Sequence, residues 1–590
     1  MSVKITINNI VFKLNDDTKT ANICDNNSAC GAVFIPRSIF HNNQEYIINR
    51  IEERSFHGSN VESIEFAPNS ELHTIESNAF NGSNIRHLSL PSSLLCLKRG
   101  WCAETKELKK VTIQPNNKNF MNIDDKMIIG KSNSDNDEYD ALLFVRRDIE
   151  KVTIPSFIKK IDAFSFSLSS IESIEIPQHV TDICESAFQF CVNLQKVIFH
   201  PNSELRKIGK KAFHMVSIRS ISIPKHVIKI EKNCFYQCDS LEKIEIDPDS
   251  ELQKIERMPF SETKIEKLVF PSNLRELESG WCDGLKNLIE IKIMENNQYF
   301  KKYNENMIVG KSDQKSDIFD ILVFVNRNVN SIIIPPEIKI IASYALSYSL
   351  ITQIYIPQNV TELCEGVFHN CKNLRHIEFS PDSELKIIGP VSFYKTKIER
   401  MTIPASVSTL SNRWISRAEK LRVIEIDPKN QFFKKFNDKM IVGKTNSKSK
   451  DFDTLVFVNR DIKTVMSFPP NIKRIASNAF AYSSLQSISL LSSIESIGDS
   501  AFFMCTQLES IYIPENSQLV AIDHFAFVFS SIKSIFIPSK VTRISEDALS
   551  FSDELEIVEL DENLNIKINY GFVFSCSFVM IPVKLRGKSF

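Results

Sequence analysis

The sequence predicts an extended solenoid of short stacked coils sharing one long parallel β-sheet, and three observations carry that prediction. Apolar residues make up 43% of the 590, yet Gly occurs only 15 times against 42 for Phe. That imbalance points to one packing position used many times. Cut at Ile-Pro, the chain repeats: residues 171–183 read IESIEIPQHVTDI and are followed by CESAFQFCVNL, and the frame I-x-x-I-x-I-P-x-x-V-x-x-I…A-F-x-x-C-x-x-L returns throughout. Its prolines fall at Pro155, Pro177, Pro224 and Pro271, spaced 22, 47 and 47, while Phe188, Phe213, Phe235 and Phe260 are spaced 25, 22 and 25. Each unit is therefore about 23 residues long. Finally, apolar residues in SIEIP alternate with Ser173 and Glu175, the period-2 pattern of a strand with one buried face.

A unit this short cannot close a core, so successive units must stack and share burial. Pro177 ends its strand by removing a ladder donor. The return segment VTDI places Val180 and Ile183 inside, and SAFQFC reads as a tight 3₁₀ or turn corner whose Phe188 fills the space between coils. Residues 1–60 read as a capping hairpin and first coil, residues 61–583 as the repeats, and residues 584–590 as a basic tail. Three inserted β-hairpins are expected near 119–147, 298–327 and 431–460. Trp101, Trp281 and Trp414 recur just before them, 180 and 133 apart, so the second interval lacks one 47-residue pair of units. A packing role is expected for these tryptophans. The apolar stretch INYGFVFSCSFVMIPV, residues 568–583, reads either as a final degenerate repeat or as a short anchor flanked by Lys584, Arg586 and Lys588. Spanning a bilayer takes about 20 residues, and AFVFSSIKSIFIP aligns with GFVFSCSFVMIP.

The combination L/I-x-x-I-x-I-P-x-x-V-x-x-I-x-x-x-A-F-x-x-C-x-x-L resembles the BspA-type leucine-rich repeat over roughly residues 33 to 583. Where the common leucine-rich pattern has Asn or Cys, the quoted unit has His179, in agreement with the Pro-containing variant. The resemblance implies a leucine-rich-repeat solenoid with a parallel β-sheet on the concave side. It also implies a surface antigen or adhesin that binds host matrix proteins or other cells.

The chemistry-bearing motifs yield to the same frame. Gly-Lys-Ser/Thr, the end of a phosphate-binding loop, occurs three times, at Gly130-Lys131-Ser132, Gly310-Lys311-Ser312 and Gly443-Lys444-Thr445. The first glycine of such a loop is replaced by Asp125, Glu305 and Asp438, and a polar turn follows instead of a helix. Each copy reads as strand, turn, strand. Of thirteen cysteines, Cys191, Cys238, Cys371 and Cys505 fill the A-F-x-x-C slot, and no C-x-x-C pair occurs. Small buried thiols are expected rather than zinc ligands or a disulfide framework, and thiols favour a reducing compartment. The eleven histidines include no H-E-x-x-H, and no G-x-S-x-G is present. A catalytic, cofactor or metal site is not expected.

What remains is the outward row of the sheet. Most of its residues are small or charged, such as Ser63 and Glu65, Ser220 and Ser222, or Lys243 and Glu245. Ile198, Val269, Tyr355, Tyr512 and Phe536 break that pattern and form the candidate binding surface, unless some of them pack against a neighbouring coil. With 71 basic against 72 acidic residues and a net charge of −1, neither nucleic acid nor an anionic membrane is the expected partner. The expected function is non-enzymatic binding of a protein or cell-surface ligand, without a small-molecule substrate. The alternative is a soluble intracellular scaffold, because MSVKITINNIVFKLNDD lacks the apolar core of a secretory signal.

Overall fold

Each S-I-E-I segment is a four-residue strand, and its side chains alternate as the period-2 pattern predicts: in Ser173–Ile176 the first and third residues are exposed and the second and fourth buried. The molecule is a computed structural model describing residues 3–564 apart from 134–136, 447 and 466, together with 575–576, 579–580 and 583–585. It comprises two units, Met1–Lys301 and Lys302–Phe590. Among the described residues every regular element is a β-strand, and no helix is long and apolar enough to cross a membrane. The 568–583 stretch and the basic tail lie largely outside the described residues. At their junction Val583–Leu585 runs parallel to Ile557–Leu560.

A coil meets the next through three hydrogen-bonded strips. The first is the four-residue strand. The second, which the sequence reading had as a return segment, is a ladder of two-residue parallel strands: Lys160–Ile161, Asp182–Ile183, Lys207–Ile208, Lys229–Ile230, Lys254–Ile255 and Glu276–Leu277 pair one after another without a break. The third is the corner, where alternate amides reach the next coil: Ser186, Phe188 and Phe190 donate to the carbonyls of Lys210, Ala212 and His214 at 2.9, 2.8 and 2.9 Å. These corners are turns that place Ser186 and Phe190 in the left-handed region, at φ 54° and 61°. A non-glycine residue there costs about 1 kcal/mol, and the inter-coil hydrogen bonds offset it.

Burial follows the frame. Phe166, Phe188, Phe213 and Phe235 are fully buried and stack in sequence, with centroids 4.6, 5.1 and 5.4 Å apart. In the second unit Phe480, Phe502 and Phe527 repeat the arrangement at 4.8 and 5.1 Å. Each stacked pair adds roughly 1 kcal/mol beyond the area it buries.

The segments near 119–147 and 431–460 are three-stranded antiparallel meanders. Phe120–Ile123, Met127–Gly130 and Ala141–Val145 pair in order, and the last then pairs in parallel with Lys160–Ile161. Phe433–Asn437, Met440–Gly443 and Thr454–Val458 do the same before Arg474–Ile475. Met307–Gly310 and Ile321–Val325 form the corresponding hairpin in the middle of the chain. These hairpins are part of the sheet and do not stand off it as flaps: Met127–Gly130 and Ala141–Val145 are buried throughout. The N-terminal cap has the same design, with Lys4–Ile7, Ile10–Asn15 and Thr20–Ile23 leading into the parallel Gln44–Ile51 strand. Each meander starts a fresh run of the two-residue ladder.

Candidate binding surface

The four-residue strands do not form one continuous sheet, although the sequence reading expected it: Cys30–Ile35, Asn60–Phe66, His87–Leu90 and Lys110–Ile113 make a four-stranded parallel sheet, and from Ser173 to Ile293 the strands pair two by two. Ser173–Ile176 pairs with Lys196–Phe199, Ser220–Ile223 with Lys243–Ile246, and Lys267–Phe270 with Glu290–Ile293. Proline explains the breaks. At a paired junction the residue after the strand donates back, as His200 N–H does to Ile176 carbonyl at 3.1 Å and Met294 N–H to Phe270 carbonyl at 3.1 Å. At the next junction that residue is Pro224 or Pro271, which has no N–H to give. The ladder there is reduced to one bond at its start, from Ser217 N–H to Leu194 carbonyl at 3.1 Å or Lys264 N–H to Leu241 carbonyl at 2.9 Å. Beyond it the strands part.

Two clefts open at these breaks on the outward face of the first unit. One, about 560 Å³, is bounded by Lys196–Phe199 and Ser220–Ile223. The other, about 820 Å³, lies between Lys243–Ile246 and Lys267–Phe270. Ile198 lines the first and Val269 the second, so two of the five expected surface residues stand at proline breaks. Lys196 and Arg219 flank the first cleft, and among the described residues no carboxylate lies within ion-pair distance of either. In the second, Glu245 pairs with Lys243 at 2.5 Å and accepts the Ser222 hydroxyl at 2.5 Å, and Lys267 pairs with Glu290 at 2.8 Å.

In the second unit Tyr355 and Tyr512 are 50% and 58% exposed, on two different two-stranded sheets that do not touch. Phe536, expected to point outward, is only 8% exposed and belongs to the packing. It stands at the third strand position of Ser534–Ile537, whose last three residues are all buried, so the alternation fails there. Two exposed residues were missed by the sequence reading. Phe34 is 61% and Ile333 is 85% exposed, and each sits two places before a proline, Pro36 and Pro335, as Tyr355 does before Pro357. That spacing was the available signal.

The Gly-Lys-Ser/Thr triplets have a structural role in their hairpins. Asp140 accepts the Ser132 N–H and hydroxyl, both at 2.8 Å. Asp320 does the same for Ser312 at 3.0 and 2.9 Å, and Asp453 for Thr445 at 2.9 and 2.7 Å. The lysines lie over neighbouring rings, Lys131 over Tyr139 at 5.9 Å, Lys311 over Phe319 at 5.1 Å and Lys444 over Phe452 at 5.4 Å. A carboxylate therefore occupies the donors a phosphate would need. Where the triplet begins, Gly130 is closely packed: a Cβ there would meet the Leu143 side chain at 2.7 Å, so that side chain would have to shift.

The cysteines and buried arginines complete the inventory. The cysteines other than Cys576, of which only the backbone is described, are free thiols. The slot cysteines donate to the carbonyl of the core residue one coil earlier, Cys191 to Phe166 at 3.0 Å, Cys238 to Phe213 at 2.9 Å and Cys505 to Phe480 at 3.1 Å. Burial pushes the thiols of Cys191 and Cys505 up to about 11 and that of Cys238 to about 12, which keeps them protonated and unreactive. After each hairpin a buried arginine donates to backbone carbonyls of the next coil. Arg147 donates to Ser165 carbonyl at 2.9 Å, Arg327 to Ala345 carbonyl at 2.9 Å and Arg460 to Ala479 carbonyl at 3.2 Å. Each also lies on a ring, Phe144, Phe324 or Phe457, within 4.6 to 4.8 Å. Burial lowers Arg460 to about 10, still charged at neutral pH. Among the described residues no group of three His, Cys, Asp or Glu could hold a metal ion.

Stacked short coils, a parallel ladder and a phenylalanine spine define a leucine-rich-repeat solenoid. The chain belongs to the BspA type leucine-rich repeat region family, whose profile matches residues 33–136, 141–212, 206–304, 314–437 and 445–583. No curated protein matches the sequence. Among solved structures it is similar to a leucine rich cell surface protein of Faecalibacterium prausnitzii A2-165, at 14% identity and TM-score 0.33, covering 99% of this chain and 95% of that one. It is also similar to the pneumococcal vaccine antigen PcpA, at 12% identity and TM-score 0.36 over 99% and 98% of the two chains. A leucine-rich repeat protein of Bacteroides ovatus ATCC 8483 follows at 16% identity and TM-score 0.26, covering 98% and 99%.

Proposed function

We propose that the chain is a non-enzymatic binding protein for a protein or cell-surface ligand, which it engages with the outward face of its four-residue strands. One observation carries the reading: Phe34, Tyr355 and Tyr512, on the strands Cys30–Ile35, Gln353–Ile356 and Ser510–Tyr512, are each at least half exposed, and Ile333, outside any described strand, is 85% exposed. Isolated aromatic and aliphatic anchors in a polar surround are how interfaces concentrate affinity. Family membership supports a repeat-based binding or surface-antigen role. The test is a panel of extracellular-matrix proteins and intact cells probed with the full chain. Tyr355→Ala and Tyr512→Ala are each expected to weaken capture about tenfold, since such anchors contribute 1 kcal/mol or more. Unchanged capture in both variants would overturn the reading of this face.

A second reading, an intracellular scaffold using the same face, is favoured by the free thiols. Protease shaving of intact cells separates the two. Cleavage of the chain supports the surface role, and full protection supports the scaffold.

A further inference from the structure

The two-residue ladder carries a row of charges on its solvent side, and in the first unit those charges are matched. Lys229 pairs with Glu231 at 3.0 Å and with Glu256 of the following coil at 3.2 Å, and Lys254 pairs with Glu276 and Glu278 at 2.7 and 3.0 Å. Where the ladder leaves the first hairpin, Lys160 has Asp162 at 2.9 Å. Arg474 holds the same place after the third hairpin, in register with Thr454 on one side and Ser496 on the other. Both of its carboxylate positions are lost: the residue two places on is Ala476, where Lys229 has Glu231, and in the following coil Gly498 stands in the place of Glu256. Arg474 is exposed, and among the described residues its guanidinium makes no hydrogen bond or ion pair. A cleft of about 580 Å³ opens over the vacated positions, lined by Arg474, Ala476, Ser496 and Gly498, by Lys444 of the hairpin, and by Thr409 and Ser411 where the preceding ladder run ends. Lys444 rests on the Phe452 ring and has no carboxylate within ion-pair distance among the described residues. The hydroxyls of Thr409, Ser411 and Ser496 have no protein partner there either. Asp523, the one carboxylate on the lining among the described residues, is paired with Arg543.

We propose that this cleft binds a small hydroxylated carboxylate, a sugar acid of the hexuronate class, whose carboxylate takes the role beside Arg474 that Glu231 and Glu256 take beside Lys229, and whose hydroxyls meet Thr409, Ser411 and Ser496. A guanidinium and an ammonium without counter-ions call for an anion, and the fork of the guanidinium matches a carboxylate. Ala476 and Gly498 supply the room. The three idle side-chain hydroxyls can each donate and accept, which suits a ligand whose remaining groups are hydroxyls. A neutral sugar leaves both cations unmatched, and an acidic peptide side chain leaves the hydroxyls to water. The volume lies within the range of small-ligand sites. A free sugar acid and the terminal residue of an acidic polysaccharide present the same groups to it. The site lies on the ladder and not on the four-residue strands, so it is independent of the protein-binding face.

The test is titration calorimetry of the full chain with D-glucuronate, set against D-glucose, N-acetylglutamate and inorganic phosphate. Saturable binding of glucuronate is expected, about tenfold tighter than that of any of the three. Arg474→Gln should lose about tenfold and Arg474→Lys should recover most of it. Ala476→Glu should lose as much as Arg474→Gln, because it returns to Arg474 the carboxylate that Lys229 has in Glu231. If Ala476→Glu lowers the unfolding midpoint, Thr409→Val/Ser496→Ala replaces it, with about threefold loss expected. No saturable binding of glucuronate, equal binding of glucose, or full binding in Arg474→Gln overturns the inference. So does N-acetylglutamate or phosphate binding as tightly as glucuronate, since the hydroxyls would then add nothing. A disaccharide ending in glucuronate separates the two sources: tighter binding than the monosaccharide supports a polysaccharide end, and equal binding supports the free acid.

Discussion

Asp320 accepts two hydrogen bonds from a single residue, the Ser312 amide at 3.0 Å and the Ser312 hydroxyl at 2.9 Å, across the turn that follows Gly310-Lys311. Asp320 is only 4% exposed, and its own carbonyl accepts the Lys339 amide of the next coil at 2.8 Å. A triplet that reads as a nucleotide site thus ties a hairpin to a solenoid.

Asp320→Ala is expected to lower unfolding stability by about 2 to 3 kcal/mol, because hydrogen bonds to a charged acceptor contribute 1.5 to 3 and two donors are stranded. Urea denaturation measures this. Replacing Lys131, Lys311 and Lys444 by Ala is expected to cost less than about 1 kcal/mol each, and ATP is expected to leave the Tm of every version unchanged. An ATP-dependent rise in Tm that vanishes in the lysine variants would restore the nucleotide reading.

The A-F-x-x-C slot needs a hydrogen-bond donor more than it needs sulfur. Ser552 fills it in the last described corner and donates to Phe527 carbonyl at 2.8 Å, as Cys505 does to Phe480 one pair of coils earlier. Cys191→Ser should therefore stay within about 1 kcal/mol of the parent, while Cys191→Ala should lose about 1 to 3. With Ellman's reagent the folded chain should react first at Cys30, the exposed thiol, and release its buried thiols only on unfolding.

His369 gives the second unit an acid sensitivity. Its ring stacks on Tyr394 at 4.5 Å and meets Tyr344 and Tyr348 edge-on, and burial, aided by Lys395 and opposed by Glu365, lowers it to about 4 from the ordinary 6.5. On acidification the unfolded chain takes up this proton first. The contribution is thus fully present above about pH 6.5, declines as pH falls, and is exhausted near pH 4. The difference in stability between the parent and His369→Phe should change by roughly 2 to 3 kcal/mol over that window. A flat difference from pH 7 to 4 would show that the ring is protonated freely in the fold.

Pro224→His copies the paired junction, where His200 N–H bonds Ile176 carbonyl. Hydrogen exchange should find the new amide at 224 protected by Phe199 carbonyl. Global stability should move by no more than about 1 kcal/mol, since one hydrogen bond is gained and proline's restriction of the unfolded chain is lost. A fast-exchanging amide would mean that something other than the proline parts the strands.

The coil itself was legible because its signals are local and repeated. Ile174 and Ile176 alternate with Ser173 and Glu175, Phe188 recurs at near-constant spacing, and the slot cysteines follow it. The two-residue ladder was harder to see, since Lys-Ile or Asp-Ile is too short to show a period. The pairing of strands was written in the 47-residue spacing of Pro177, Pro224 and Pro271, but it requires asking which amide is missing at each junction. Asp140, eight residues after Ser132, becomes its partner only once the turn closes. On the outward face, Ile198 and Val269 stand out in the sequence because they interrupt a polar row, whereas burial of Phe536 depends on what lies beside it, and alternation within one strand carries no trace of that.

Because the outward sheet between Ser173–Ile176 and Glu290–Ile293 is already interrupted at every second coil, removing or adding one pair of coils there severs no ladder within a pair. A single coil would leave a half-pair with a donor or a proline facing the wrong neighbour. Gene duplication and loss in this lineage should therefore be quantised in steps of two coils. The intervals of 180 and 133 residues between Trp101, Trp281 and Trp414, which differ by one such step, are what that rule would leave behind.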